Sequence, residues 1–138
     1  MEDFVRRIEY YYTVVPNRAG AAAKVLNVLK TEGVNLVAFN GFPLSTQHAQ
    51  LDVVPSSGNA LVAAAQKAGI KLVGPKVAFL LSDWEHLGAV ADVLSKLEQA
   101  RVNVTAMQAI ATGDWRYGAI LWVKPRNIGK ATQALGIS

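Results

Sequence analysis

The chain repeats itself. At a displacement of 68, segment 20–38 (GAAAKVLNVLKTEGVNLVA) falls on 88–106 (GAVADVLSKLEQARVNVTA). Nine of the 19 positions are identical: Gly20/Gly88, Ala21/Ala89, Ala23/Ala91, Val25/Val93, Leu26/Leu94, Leu29/Leu97, Val34/Val102, Asn35/Asn103 and Ala38/Ala106. Further on, Leu51, Val53 and Pro55 match Leu121, Val123 and Pro125 at a displacement of 70, which places a two-residue slip in a turn, where insertions are tolerated. Gly69-Ile70 and Gly136-Ile137 form a third echo. Common solenoid repeats have periods of about 20–50 residues, so each copy reads as a small domain rather than a stacking unit. Two copies nearly fill the 138 residues, giving expected domains at 1–74 and 75–138.

One copy has a legible element order. Glu9–Val15 is rich in aromatic and β-branched residues, which favours a strand. Pro16-Asn17-Arg18-Ala19-Gly20 breaks it. Ala22, Val25, Leu26 and Leu29 then recur at helical spacing up to Gly33, a natural helix stop. Leu36–Phe42 and Gln47–Val54 read as strands joined by a turn, 59–68 as a second helix, and Ile70–Val73 as a short fourth strand. The order is β-α-β-β-α-β, which right-handed crossovers and one hairpin fold into a ferredoxin-like unit, an antiparallel sheet with helices on one face. In copy two the elements are Val77–Leu81, Gly88–Gln99, Asn103–Ala111, Tyr117–Val123 and Ile128–Leu135. Only Gly136-Ile137-Ser138 remains for its fourth strand, so that strand is truncated, and residues 3–8 are the candidate to fill its place. The fold class is therefore α+β, two ferredoxin-like units.

Composition narrows the function. Hydrophobic residues make up 51% of the chain and charged residues 17%, the balance of a chain that buries a core. With no Cys, disulfides, thiolate metal sites and Cys nucleophiles are excluded. Two His leave little ligand supply for a transition metal, so neither metal nor cofactor is expected. No apolar run approaches the ~20 residues of a membrane helix. The opening Met1-Glu2-Asp3-Phe4-Val5-Arg6-Arg7 is acidic and lacks an apolar core, unlike a signal peptide, so a cytoplasmic protein is expected. The net charge is +4 and the isoelectric point about 9.5, but the basic residues are dispersed. Nucleic acid is accordingly not an expected partner, and neither is a membrane.

Asn17-Arg18-Ala19-Gly20 followed by Gly33-Val34-Asn35-Leu36, and Glu85-His86-Leu87-Gly88 followed by Arg101-Val102-Asn103-Val104, carry a resemblance. Each copy is similar to an ACT domain, the small-molecule sensing module attached to many enzymes of amino-acid metabolism. The family's loop usually reads Asp-x-Pro-Gly; here Asn17 and Glu85 stand at the Asp position, Ala19 and Leu87 at the Pro position. The resemblance implies the β-α-β-β-α-β fold and a regulatory, allosteric role. It implies a homodimer or larger assembly, and binding of an amino acid or similar effector where paired modules meet. Asn17, Arg18, Ala19, Gly20 and Asn35 in copy one, and Glu85, His86, Leu87, Gly88 and Asn103 in copy two, are the ligand-binding candidates it implies. Physics agrees on the location, since a helix N-terminus offers unpaired N–H groups to a carboxylate. Any regulated activity then belongs to a separate partner, such as a metabolic enzyme.

Plainer roles stand beside these. Gly20 and Gly88 can serve close packing of helix on sheet, Asn17 can cap the first helix, and Asn35 and Asn103 can shape turns. Glu85 can favour the helix dipole while opposing a ligand carboxylate, or hold an ammonium. His86 lacks the partners of a catalytic triad. Two other functions remain open: a small cofactor-free enzyme of the dimeric α+β barrel type, using His48, Tyr12 and Asp52 in one cavity, and a ligand-free interaction module.

Overall fold

The computed structural model describes residues 4–137; the acidic opening residues Met1, Glu2 and Asp3, and Ser138, lie outside them. The elements are β1 (Phe4–Pro16), α1 (Ala21–Thr31), β2 (Leu36–Pro43), β3 (His48–Pro55), α2 (Gly58–Ala68), β4 (Val73–Trp84), α3 (Ala89–Gln99), β5 (Val104–Ala111), β6 (Arg116–Val123), a turn of 3-10 helix (Pro125–Asn127) and α4 (Ile128–Ala134). They form two compact units, residues 9–76 and residues 77–137 together with 4–8.

The unit of residues 9–76 has the strand order β2-β3-β1-β4, to which β4 contributes its first residues. β3 runs antiparallel to both β1 and β2. Alternation along β1 buries Tyr11, Thr13 and Val15 while Val14 stays exposed. Tyr11 and its cross-strand partner Val53 meet Leu29 of α1 and Leu61 and Ala64 of α2 in one core. The strand start passes close over β1: a Cβ at Gly74 would lie 2.9 Å from the Tyr10 carbonyl oxygen and from Tyr11 Cδ2.

The second unit has the order β1-β4-β6-β5. Phe79, Leu81, Leu121 and Val123 on the strands pack against Leu97 of α3, Ala131 of α4 and Leu135 just after it. Phe4–Ile8 of β1 supply the outer strand of this unit, beside β4.

Two expectations are corrected. The fourth strand read at Ile70–Val73 is not formed at 70–72; its last residue, Val73, opens the strand Val73–Trp84, which also takes in the one read at Val77–Leu81. Ile70 itself is held by the helix before it, its N–H donating to the Ala65 carbonyl past the left-handed Gly69, a helix-closing pattern. The two-residue slip does not exist. Tyr11 faces Val53 and Phe79 faces Leu121; Leu36 faces Pro55 and Val104 faces Val123. Each pairing of copy one recurs in copy two at the displacement that carries Gly20 onto Gly88. The irregularities at Leu36/Ala38 and Val104/Ala106 keep the same spacing. The hairpins of both copies therefore have equal length.

Candidate functional site

The loop after the first strand is built the same way in both units. The Asn17 N–H donates to the Gln47 carbonyl at 2.9 Å, and at the equivalent position of copy two the Glu85 N–H donates to the Trp115 carbonyl at 2.8 Å. Each bond ties the loop to the hairpin of its own unit. The helices start at Gly20 (φ 85°) and Gly88 (φ 77°), neither with a side-chain cap. A Cβ at either glycine would meet nothing within 4 Å. The left-handed backbone calls for glycine here; the close-packing role is not what the geometry shows. Nor does Asn17 cap α1: its Nδ2 donates to the Ser45 carbonyl at 3.1 Å, a second tie to the hairpin. Arg18, Ala19, Glu85 and His86 are exposed, and Leu87 is fully so. His86 Nδ1 stands 3.3 Å from the Leu87 carbonyl, to which it donates in the tautomer that carries the proton on Nδ1.

In the second unit this loop borders a cavity of about 320 Å³. Glu85, His86 and Gly88 line it with Ala89, Val90 and Ala91 of the first turn of α3. Ala109–Ala111 at the end of β5, and Tyr117 of β6, close the other side. The volume lies at the small end of the ~300–1,000 Å³ range of ligand pockets. The wall is mostly aliphatic, with charge at the loop and first-turn amides at the helix start. The arrangement suits a small molecule with an anionic end and a short apolar body.

Three of the five copy-two candidates, Glu85, His86 and Gly88, thus come together at one cavity. Asn103 does not join them within the unit: it precedes β5, whose opposite end lines the cavity. Asn35 likewise precedes β2, at the end of its sheet where Leu36 faces Pro55, while Pro16 and Pro43 mark the loop end. Its carbonyl accepts the Ser56 N–H at 3.0 Å and the Ser56 hydroxyl at 3.2 Å.

Tyr117 is the residue that sequence reasoning missed. It is 8% exposed, and it borders the loop cavity and also a second one of about 400 Å³ on the flank of α3. Asp83, His86, Asp92, Ser95, Lys96 and Gln99 line that flank cavity. Burial first, and then the charges of Asp83 and Asp92, push the Tyr117 phenol above its ordinary pKa. No signal in the sequence pointed to it: only in the register that the strand pairing reveals does Tyr117 fall on Ala49, a change of size at a matched strand position.

Of the residues proposed for a barrel-type enzyme, Tyr12 and Asp52 are cross-strand partners, whereas His48 is exposed opposite Pro16 at the strand end. Asp52, 6% exposed, accepts from Gln50 Nε2 at 2.9 Å; burial raises its pKa, against the lowering effects of that bond and of Lys76. Lys76 also lies 5.6 Å over the Tyr12 ring. Among the described residues no three His, Asp or Glu group as a metal site, and no helix is long and apolar enough to cross a membrane.

No family model matches the sequence, and no curated protein matches it. Solved structures do match. A Bacteroides thetaiotaomicron protein superposes with a TM-score of 0.80 at 20% identity, over 96% of this chain and 88% of that one. The regulatory subunit of aspartate kinase from Thermus thermophilus, in its ligand-free form, gives 0.61 at 16% identity, over 97% of this chain and 95% of that one. The Thermus flavus subunit gives 0.61 at 16%, over 98% and 95%. The chain thus has the ACT-like ferredoxin fold, which it shares with regulatory subunits of aspartate kinase.

Proposed function

We propose that the protein is a stand-alone regulatory protein that binds a small effector, an amino acid, at the loop that opens α3, where a module of a second copy of the chain covers the pocket. The observation that carries this reading is the cavity at Gly88, in which an uncapped helix start, Glu85, His86 and an aliphatic strand end meet. An amino acid has matching parts. Its carboxylate is stabilised by first-turn N–H groups and the helix dipole, and its side chain by Ala109–Ala111. Asn17, Arg18, Ala19 and Gly20 form the corresponding loop of copy one, and Asn35 and Asn103 are proposed to meet the ligand of a neighbouring module. The effector acts by population shift, favouring the arrangement of modules that it binds best. Similarity in fold to regulatory subunits supports a regulatory role exerted on a separate enzyme.

The test is a calorimetric and thermal-shift screen of the amino acids on the full chain and on Ala111→Trp. Ala111 is an exposed strand-end residue of the cavity wall, so the indole fills the pocket from its rim without entering the core. Saturable binding of one or a few amino acids by the parent chain, lost in Ala111→Trp, is the expected result. Binding unaffected by Ala111→Trp, or no binding of any amino acid, overturns the reading.

A further inference from the structure

We propose that the outer edge of the second unit, β5 with the adjoining flank of α3, docks the outer edge of the first unit, β2 with the adjoining flank of α1, on a second copy of the chain. This rests on the reading above, in which a second copy covers the loop cavity, and it names the module that covers it. Among the described residues β2 pairs only with β3, and β5 only with β6, so each eight-residue strand has one side without a partner. Open edges are ordinarily blunted by charged residues or Pro. Neither strand contains a charged residue, and Pro43 stands only at the last position of β2. Phe39 pairs with the core residue Val53, which puts it on the helix side of the sheet, yet it is 43% exposed. Two such edges are built to add a strand to each other. The loop cavity is lined by Ala109–Ala111 of β5, so a unit docked on this edge lies over it.

Charge decides which edges meet. Ala91 lines the loop cavity with the end of β5, and Leu94 and Glu98 follow it on the same flank of α3, at helical spacing. The matching flank of α1 carries Ala23, Leu26 and Lys30. The two flanks share their Ala and their Leu and differ in the sign of the final charge. Lys30 and Glu98 are exposed, and among the described residues neither side chain is in an ion pair. The contrast extends along the whole loop and helix. Segment 17–31 carries Arg18, Lys24 and Lys30 and no acid, whereas 85–99 carries Glu85, Asp92 and Glu98 against Lys96 alone. Pairing of like units sets like charges together. Pairing of unlike units sets a basic flank against an acidic one, the arrangement that favours the right partner and penalises the wrong one.

Sedimentation of the full chain at low ionic strength, where surface charge is least screened, reads the contact, with circular dichroism to check that each variant is folded. The parent chain should self-associate. Lys30→Glu and Glu98→Lys should each weaken association about tenfold. An equimolar mixture of the two variants should recover most of it, because the first unit of the Glu98→Lys chain and the second unit of the Lys30→Glu chain are both unaltered and form a parental contact. Should Lys30→Glu unfold the chain, Phe39→Ser disables the same edge. A monomeric parent chain overturns the proposal. So does weakening by only one of the two substitutions, the mark of like units pairing, or failure of the mixture to recover. Amino-acid binding by the parent chain and by Ala111→Trp is measured beside this. Binding lost in Ala111→Trp, together with a failed mixture, overturns the pairing of unlike units and leaves the effector reading standing. Charge-directed association without binding of any amino acid does the reverse.

Discussion

Arg101 holds, at φ 60°, the position after α3 that Gly33 holds after α1 at φ 76°. The closing bonds are the same: Val34 N–H to Leu29 and Val102 N–H to Leu97, both 2.9 Å. The left-handed turn is therefore required by the fold, and copy two makes it with a residue that strains to adopt it. The left-handed conformation costs an L-residue about 1–2 kcal/mol, while glycine gives back roughly 0.5–1 kcal/mol through its freer unfolded chain. Arg101→Gly should therefore stabilise the protein by about 0.5–1 kcal/mol. In urea unfolding the midpoint should rise at unchanged slope. A lower midpoint would show that the Arg101 side chain contributes more than its backbone costs.

Gly20 makes a sharper test of the same physics. The space around it is empty, so substitutions there should be ranked by tolerance of positive φ and not by size. Asn visits the left-handed region far more readily than Ala, and a β-branched residue there is an outlier. Melting temperatures should fall in the order Gly20, Gly20→Asn, Gly20→Ala, Gly20→Val, with Ala22→Val less harmful than Gly20→Val. Finding Gly20→Asn worse than Gly20→Ala would restore a packing role for this glycine.

The repeat made the fold legible because helix periodicity and the Val-Asn step survive in both copies. It misled at the hairpin. Leu51, Val53 and Pro55 match Leu121, Val123 and Pro125 only after a slide of two, yet the strand pairing keeps the register of Gly20 on Gly88 throughout. Aliphatic residues alternate in any half-buried strand, so a two-residue slide preserves their pattern. Gly74-Pro75 reads as punctuation and hid the continuity of β4. Arg6 and Arg7 hid the start of β1 by interrupting its apolar pattern. The loop candidates were visible as contiguous motifs. Tyr117, Asp83 and Asp92 were not, because three separate elements bring them together and only the fold makes them neighbours.

Asp52 is a carboxylate whose pKa burial has raised, so its sign is opposite to that of a salt-bridged Asp. The native state prefers the protonated form. Its contribution to stability is present below the unfolded-state pKa, ~3.9, and is lost as pH rises through the higher native value. Asp52→Asn should remove that loss, since the amide oxygen still accepts from Gln50. The variant should gain on the parent chain as pH rises from about 3.5 to 7, read as the difference in unfolding free energy at each pH. Lys76→Met should enlarge the parent chain's loss, because Lys76 partly offsets the burial. A difference between parent and Asp52→Asn that shrinks with rising pH would mean that the charged form is the one the fold favours.

The two loops differ in charge, and this decides how each would read an effector. Asn17 presents an amide, but its Nδ2 is engaged with the Ser45 carbonyl. Asn17→Asp would exchange that donor for a carboxylate facing a carbonyl oxygen. It should cost about 1 kcal/mol of stability and oppose an amino-acid carboxylate at the start of α1. Among the described residues Glu85 has no such tie through its side chain, while its backbone N–H donates to the Trp115 carbonyl. Its substitution therefore tests binding with little effect on folding. If the carboxylate of the effector lies at the first turn of α3, Glu85 repels it, and Glu85→Gln should leave affinity unchanged or improve it severalfold, in keeping with the ~0.3–1 kcal/mol of a charge at a helix end. At about 100 times its dissociation constant the effector stabilises the chain by ~2.7 kcal/mol, a shift of several degrees at roughly 2–4 °C per kcal/mol. That shift should survive in Glu85→Gln. Its abolition there, together with an intact shift in Asn17→Asp, would reverse the orientation: Glu85 would hold the ammonium, and the carboxylate would lie away from the helix start.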